Sequence, residues 1–110
     1  MYLSIVVPCM NEEESIPLLV DRLAKIVALQ DFESEIILVD DGSTDATWQA
    51  IETAHENVPQ VRGLALSANR GHQVALTAGL AAARGERVFM LDADLQDPPE
   101  LLADMMFMME

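Results

Sequence analysis

Positive charge is what this sequence has least of. Six lysines and arginines stand against 19 aspartates and glutamates, a formal net charge of −13. That balance excludes a nucleic-acid surface and a polybasic membrane patch, both of which need clustered cations. An acidic chain can still handle an anionic ligand, provided that a metal ion or backbone N–H groups supply the counter-charge. Cysteine is nearly absent: Cys9 alone excludes an internal disulfide and fits a reducing, cytoplasmic compartment. As a small apolar residue ending a strand it reads as core rather than as a nucleophile. No apolar run approaches the length of a membrane helix, and the N-terminus lacks the basic region of a signal peptide. Repeats, low-complexity tracts and linkers are missing too. The motif-level absences narrow the chemistry further. There is no G-x-G-x-x-G after the first strand, no P-loop and no G-x-S-x-G elbow. His55 and His72 stand apart, without cysteine or histidine neighbours at zinc spacing.

What is present is enough for one domain: 110 residues, 51% of them hydrophobic. Residues 3–7 read as a β-branched strand closed by Pro8. A helix follows with Ile16, Leu19, Val20, Leu23, Ile26 and Val27 on one stripe, Ser15 as its cap and Pro17 in its first turn. Residues 36–39 form the second strand, ending in Asp40-Asp41-Gly42. Ser43 to Asp45 supply capping side chains for a helix running to Asn57, with Trp48 and Ile51 inward. Residues 61–66 make a third strand, 67–73 a polar loop containing Gly71, and 74–84 an alanine-rich helix stopped by Gly85.

The stretch 88–100, V-F-M-L-D-A-D-L-Q-D-P-P-E, opens as a strand buried on both faces and breaks off in Asp92-Ala93-Asp94. In an extended chain these two carboxylates project to the same side. Two like charges about 4 Å apart repel by roughly 4 kcal/mol at an effective dielectric near 20. A hard divalent ion with oxygen ligands is the usual relief. Asp97 fits an N-cap, with Pro98, Pro99 and Glu100 suited to a first helical turn. Leu101, Leu102, Met105, Met106 and Met109 then recur at helical spacing, read as core packing, and the absence of a stop signal suggests a chain cut from something longer.

Strand and helix alternate four times. That order implies a parallel sheet covered on both faces, with its ligand beyond the carboxyl ends of the strands at the switch point of strand order. The unusual residues all fall there: Pro8, Asn11 and Glu12 after the first strand, Asp40, Asp41 and Gly42 after the second. Asn69, Arg70 and Gly71 follow the third, and Asp92, Asp94 and Gln96 the fourth. His72, in the same loop as Gly71, is a weaker candidate for a phosphate contact.

Four stretches carry a resemblance: I-V-V-P-C-M-N-E-E at 5–13, V-D-D-G-S-T-D at 39–45, S-A-N-R-G-H-Q-V-A-L-T-A-G-L at 67–80 and D-A-D-L-Q-D-P-P-E at 92–100. In this order they resemble the nucleotide-sugar-binding part of inverting family 2 glycosyltransferases. Within that family the likeness is to the polyprenyl-phosphate branch of dolichol-phosphate mannose synthases and bactoprenol glucosyltransferases. The resemblance implies an α/β, Rossmann-like GT-A half: a mostly parallel four-stranded sheet with helices on both faces, truncated. Residues 1–110 would then be one nucleotide-sugar-binding subdomain.

Residue by residue, the resemblance implies that Pro8, Asn11 and Glu12 line the base and ribose pocket and that Asp41 accepts from the base. Arg70 would approach the diphosphate side and Gly71 would let backbone come close to it, with Asn69 and Ala93 also among the donor-binding residues. Asp92 would stand near ribose or metal, and Asp92, Asp94 and Gln96 would hold Mg²⁺ or Mn²⁺ on the two phosphates. The ligand would be a UDP- or GDP-sugar and the acceptor a lipid phosphate, with the longer protein at the cytoplasmic face of a membrane. The family's general base lies beyond the D-x-D strand, so the expectation for these residues alone is donor binding without turnover. An exposed sheet edge and the methionine-bearing helix suggest a homo-oligomer of such a fragment. Two other readings compete. A non-catalytic nucleotide-binding or assembly module fits if the chain is complete. A phosphorelay receiver fits its acidic pairs but not its lysines, since the single lysine, Lys25, sits in the first helix.

Overall fold

The apolar runs become four parallel strands. The structure, a computed structural model, describes residues 2–93. Asp94, Gln96, the expected helix after Asp97 and the methionine stripe therefore lie outside the described residues. Strands β1 (Leu3–Cys9) and β2 (Ser34–Asp40) are buried along all seven of their residues. Strands β3 (Val61–Ala65) and β4 (Arg87–Met90) flank them, in the order β3-β2-β1-β4.

Alternation along the strands sorts the core into two layers. Leu3, Ile5 and Val7 of β1, with Ile36 and Leu38 of β2, face the helices α1 (Ser15–Ala28) and α2 (Thr47–Asn57), meeting Ile16, Leu19, Leu23 and Ile51. Val6, Ile37 and Val39 point the other way, toward Ala75 of α3 (His72–Ala82). Two helices on one face and one on the other follow from connection handedness: β1 to β3 steps one way across the sheet, and β3 to β4 steps back over it. The reversal puts the switch point between β1 and β4.

Several boundaries differ from the sequence expectation, each for a local reason. Strand β1 continues through Pro8 to Cys9 instead of ending at Val7. The carbonyl of Val6 accepts from Leu91 on the β4 side, so Pro8, two residues on, faces that same side. The ladder to β4 pairs only as far as Val6 with Met90, and the missing N–H of Pro8 removes no ladder bond. Ser15 is the first residue of α1 rather than its cap; the carbonyl of Glu12 takes the amides of Ser15 and Ile16 at 3.0 and 3.1 Å. Helix α3 starts two residues earlier than expected and ends at Ala82, so Gly85 is not its stop. Gly85 instead donates its amide to Ser4 Oγ at 2.8 Å, where a Cβ would lie 2.6 Å from the Ser4 nitrogen. Strand β4 is not buried on both faces: among the described residues it pairs only with β1, and Met90 is 53% exposed.

One buried charge ties the amino-terminal end of the sheet. Glu35 of β2 is 1% exposed. It accepts from Ser4 Oγ of β1 at 2.5 Å, Arg62 of β3 at 2.6 Å and the Arg84 amide at 2.7 Å. The Arg84 guanidinium adds a contact at 3.2 Å. Burial opposes ionisation of this carboxyl, but the hydrogen bonds from Ser4, Arg84 and Arg62 outweigh it and hold the pKa at about 2.

Candidate functional site

At the opposite end, where the strands finish, a cleft of about 400 Å³ opens at the switch point. Pro8, Cys9, Met10 and Glu12 enter it from the end of β1, Asp41 from β2, and Asp92 and Ala93 from β4. Asn69, Gly71, His72 and Ala75 come from the β3–α3 connection and the start of α3. Pro8, Glu12, Asp41, Asn69, Gly71, Asp92 and Ala93 are all site candidates by sequence, and the fold brings them together because each lies at or just beyond the carboxyl end of a parallel strand.

Asp41 organises the floor. It is 4% exposed. Its Oδ1 accepts the Arg70 amide at 2.7 Å and its Oδ2 the Gly71 amide at 3.1 Å. The Gly71 amide also reaches Asn69 Oδ1 at 3.0 Å. The loop after β3 is thus wrapped over a carboxylate from the end of β2. Two glycines make the wrap feasible. Gly42, at φ +68°, lies so close that a Cβ would sit 2.4 Å from the Asn69 nitrogen, and Gly71 takes φ +96°.

Two candidates fall elsewhere. Arg70 contributes its backbone amide to Asp41, while its exposed side chain is not among the lining groups. Asn11 is also outside the lining. Its Oδ1 accepts from the amide and hydroxyl of Thr44 at 2.9 and 3.3 Å. Their place after a strand and the resemblance made both candidates, and in the structure the Asn11 side chain and the Arg70 backbone amide are engaged by residues 33 and 29 positions away.

His72, Met10 and Ala75 line the cleft without having been chosen as site residues. His72 had a signal, its place in the loop after β3. In the structure it opens α3, with Nε2 3.4 Å from Asp92 Oδ1. Cys9 also lines the cleft, but its Sγ donates to the Val7 carbonyl at 3.3 Å. Burial first, then the charges of Asp40 and Glu12, push this thiol well above its ordinary range. It stays protonated, which rules out a resting thiolate nucleophile.

The cleft is therefore acidic, with Glu12, Asp41 and Asp92 on its walls and His72 as the one basic side chain among the described lining residues. Asp92 offers hard carboxylate oxygens in a half-exposed position, a donor type that suits Mg²⁺ or Mn²⁺. Among the described residues, no group of three or more His, Cys, Asp or Glu side chains is arranged around a metal position. The two other expected ligands, Asp94 and Gln96, lie outside those residues. The described residues thus fit one edge of a divalent-ion site. No helix among them is long and apolar enough to cross a membrane.

Comparison with known proteins agrees on one family. A bactoprenol glucosyl transferase of Shigella phage SfV is 41% identical over 102 residues, 93% of this chain and 33% of that protein. An undecaprenyl-phosphate 4-deoxy-4-formamido-L-arabinose transferase of Pseudomonas fluorescens is 46% identical over 98 residues, 88% of this chain and 29% of its own. Among solved structures, the mannosyltransferase PcManGT of Pyrobaculum calidifontis, in complex with GDP-Man and Mn²⁺, superposes with a TM-score of 0.75 at 31% identity. That match covers 92% of this chain and 30% of the other. S. aureus TarS 1-349 in complex with UDP gives 0.73 at 35% identity, over 86% of this chain and 28% of that one. The chain spans about a third of the length of the curated relatives it matches. Residues 4–110 match the family model for Glycosyl transferase family 2, and the chain belongs to that family.

Proposed function

We propose that this chain is the donor side of an inverting glycosyltransferase, taking a UDP- or GDP-sugar with Mg²⁺ or Mn²⁺ in the switch-point cleft. In the longer protein the hexose passes to a polyprenyl phosphate at the cytoplasmic face of the membrane. The observation that carries the reading is the meeting of Glu12, Asp41 and Asp92 with the Asn69–Gly71 loop in one cleft. The printed names of the bactoprenol and undecaprenyl-phosphate relatives support the acceptor. The GDP-Man, Mn²⁺ and UDP in neighbouring structures support the donor and the metal.

Each residue has a task in this reading. Pro8, Glu12 and Asp41 hold base and ribose, and Asn69 and Gly71 border the diphosphate. Asp92, with Asp94 and Gln96, holds the divalent ion, which when bound stabilises the negative charge gathering on the diphosphate leaving group. The acidic walls keep a diphosphate out unless that ion accompanies it.

Calorimetric titration with UDP, GDP and GDP-mannose, with and without Mn²⁺, tests the proposal. Binding of one nucleotide that needs Mn²⁺ and disappears in Asp41→Ala is the expected result. No binding of any of the three, or equal affinity without metal, overturns it.

A further inference from the structure

We infer that Asn11 is a positioning residue: it clamps the β1–α1 loop to the β2–α2 loop and so sets the distance between the Glu12 and Asp41 walls of the cleft. This rests on the donor-site reading above, but departs from the direct base or ribose contact that the family resemblance implies for Asn11.

Three successive amides of the first loop end on side chains of the second loop and of the first residue of α2. Asn11 N donates to Ser43 Oγ at 2.9 Å, Glu12 N to Thr47 Oγ1 at 2.8 Å and Glu13 N to Asp45 Oδ2 at 3.4 Å. Asn11 returns the contact through Oδ1, which accepts from the Thr44 amide at 2.9 Å and the Thr44 hydroxyl at 3.3 Å. Only Asn11 works in both directions. It is also the single described non-glycine residue at positive φ, +54°, a conformation that asparagine tolerates better than most. With that backbone turn its amide meets Ser43 and its side chain Thr44, 32 and 33 positions further on, and Asn11 is not among the residues lining the cleft.

The consequences reach the cleft through its neighbours on both sides. Glu12, next in sequence, lines the cleft, and its carbonyl receives the first amides of α1. Ser43 and Thr44 directly follow Asp41 and Gly42, and Ser43 donates its own amide to Asp40 Oδ1 at 3.0 Å. Losing the Asn11 side chain removes the Thr44 half of this join and loosens the Glu12 wall against the Asp41 floor, while the backbone bonds to Ser43, Thr47 and Asp45 remain and every residue lining the cleft is kept.

The clamp uses the oxygen of the Asn11 side chain, whereas donating a hydrogen bond to a nucleotide would use its nitrogen. Asn11→Asp keeps the oxygen and loses the nitrogen. Asn11→Gly loses both and tolerates the positive φ, so backbone strain does not confound it. The test measures affinity for UDP and GDP with Mn²⁺, together with amide hydrogen exchange in the absence of nucleotide. For whichever nucleotide the parent chain binds, Asn11→Asp should stay within about threefold of the parent and Asn11→Gly should weaken by about tenfold or more. Exchange at Glu12, Glu13 and Thr44 should quicken in Asn11→Gly and stay slow in Asn11→Asp. Asn11→Asp binding as poorly as Asn11→Gly, or unchanged exchange in Asn11→Gly, overturns the clamp. A parent chain that binds neither nucleotide sinks the donor-site reading, while the exchange measurement still decides the clamp.

Discussion

The Asp41 carboxylate and the Gly71 amide, 30 residues apart in the chain, meet at 3.1 Å. With the Arg70 amide at 2.7 Å on its other oxygen, Asp41 supports the loop after β3 before it does anything for a ligand. A carboxylate with two oxygens retains lone pairs for a further donor, so support and recognition can share one side chain. The close approach of the loop after β3 to the end of β2 depends on it.

Asp41→Asn replaces one of these acceptor oxygens with an NH₂ that must face a backbone amide. Both amides are only partly buried and Gly71 keeps Asn69 Oδ1 as a second acceptor, so the loss is that of one ordinary hydrogen bond, about 1 kcal/mol. We expect urea unfolding to show a loss of that size, with faster hydrogen exchange at Arg70 and Gly71. Gly42→Ala should loosen the same loop by another route, because its Cβ would lie 2.4 Å from the Asn69 nitrogen. Unchanged exchange at Arg70 and Gly71 in both variants would remove Asp41 as the loop's support.

Acid should weaken the far end of the sheet through Glu35. The folded Glu35 carboxyl titrates at about 2, against an ordinary value of 4.5. A folded value below the unfolded one means that its stabilisation is complete above the ordinary value and fades as the pH falls from there toward 2. The difference corresponds to about 3 kcal/mol. Glu35→Gln should be less stable at pH 7 by a similar amount, since Arg62 and Arg84 lose their partner. It should also show a flatter loss of stability between pH 5 and pH 3. Parallel stability curves for parent and variant through that interval would contradict the assignment.

Legibility in the sequence followed the range of the interactions. The runs at 3–7 and 36–39 reveal buried parallel strands because every residue in them is apolar or small, a local property. Strand alternation with helices then delivers the sheet edge, and Glu12, Asp41 and Asp92 gather there because topology gives them no other place. What stayed hidden depends on register. The partners of Glu35 come from Ser4, Arg62 and Arg84, which only the strand alignment brings within reach. The bond from the Thr44 amide to Asn11 and that from the Arg70 amide to Asp41 likewise join distant loops. Gly85 reads as a helix stop in sequence, and its packing against Ser4 has no local signature.

The approach of α3 to the sheet yields the last expectation. A Cβ on Gly79 would stand 2.3 Å from Val6 Cγ1 and 3.1 Å from Val39 Cγ2, both in fully buried side chains. In a free helix, alanine for glycine gains about 1 kcal/mol. Overpacking a core that cannot yield costs about 1–3 kcal/mol. Because Val6 and Val39 are held by β1 and β2 on either side, the overpacking should win, and Gly79→Ala should lower stability by about 1 kcal/mol or more. The helix must then rise from the sheet, carrying with it His72 and Ala75 of the cleft, so nucleotide affinity should fall along with stability. Val6→Ala in the same chain should restore part of both, because it removes the nearer of the two obstructing methyls. A Gly79→Ala variant as stable as the parent, by urea unfolding, would mean that α3 does not rest on Val6 as closely as the structure has it.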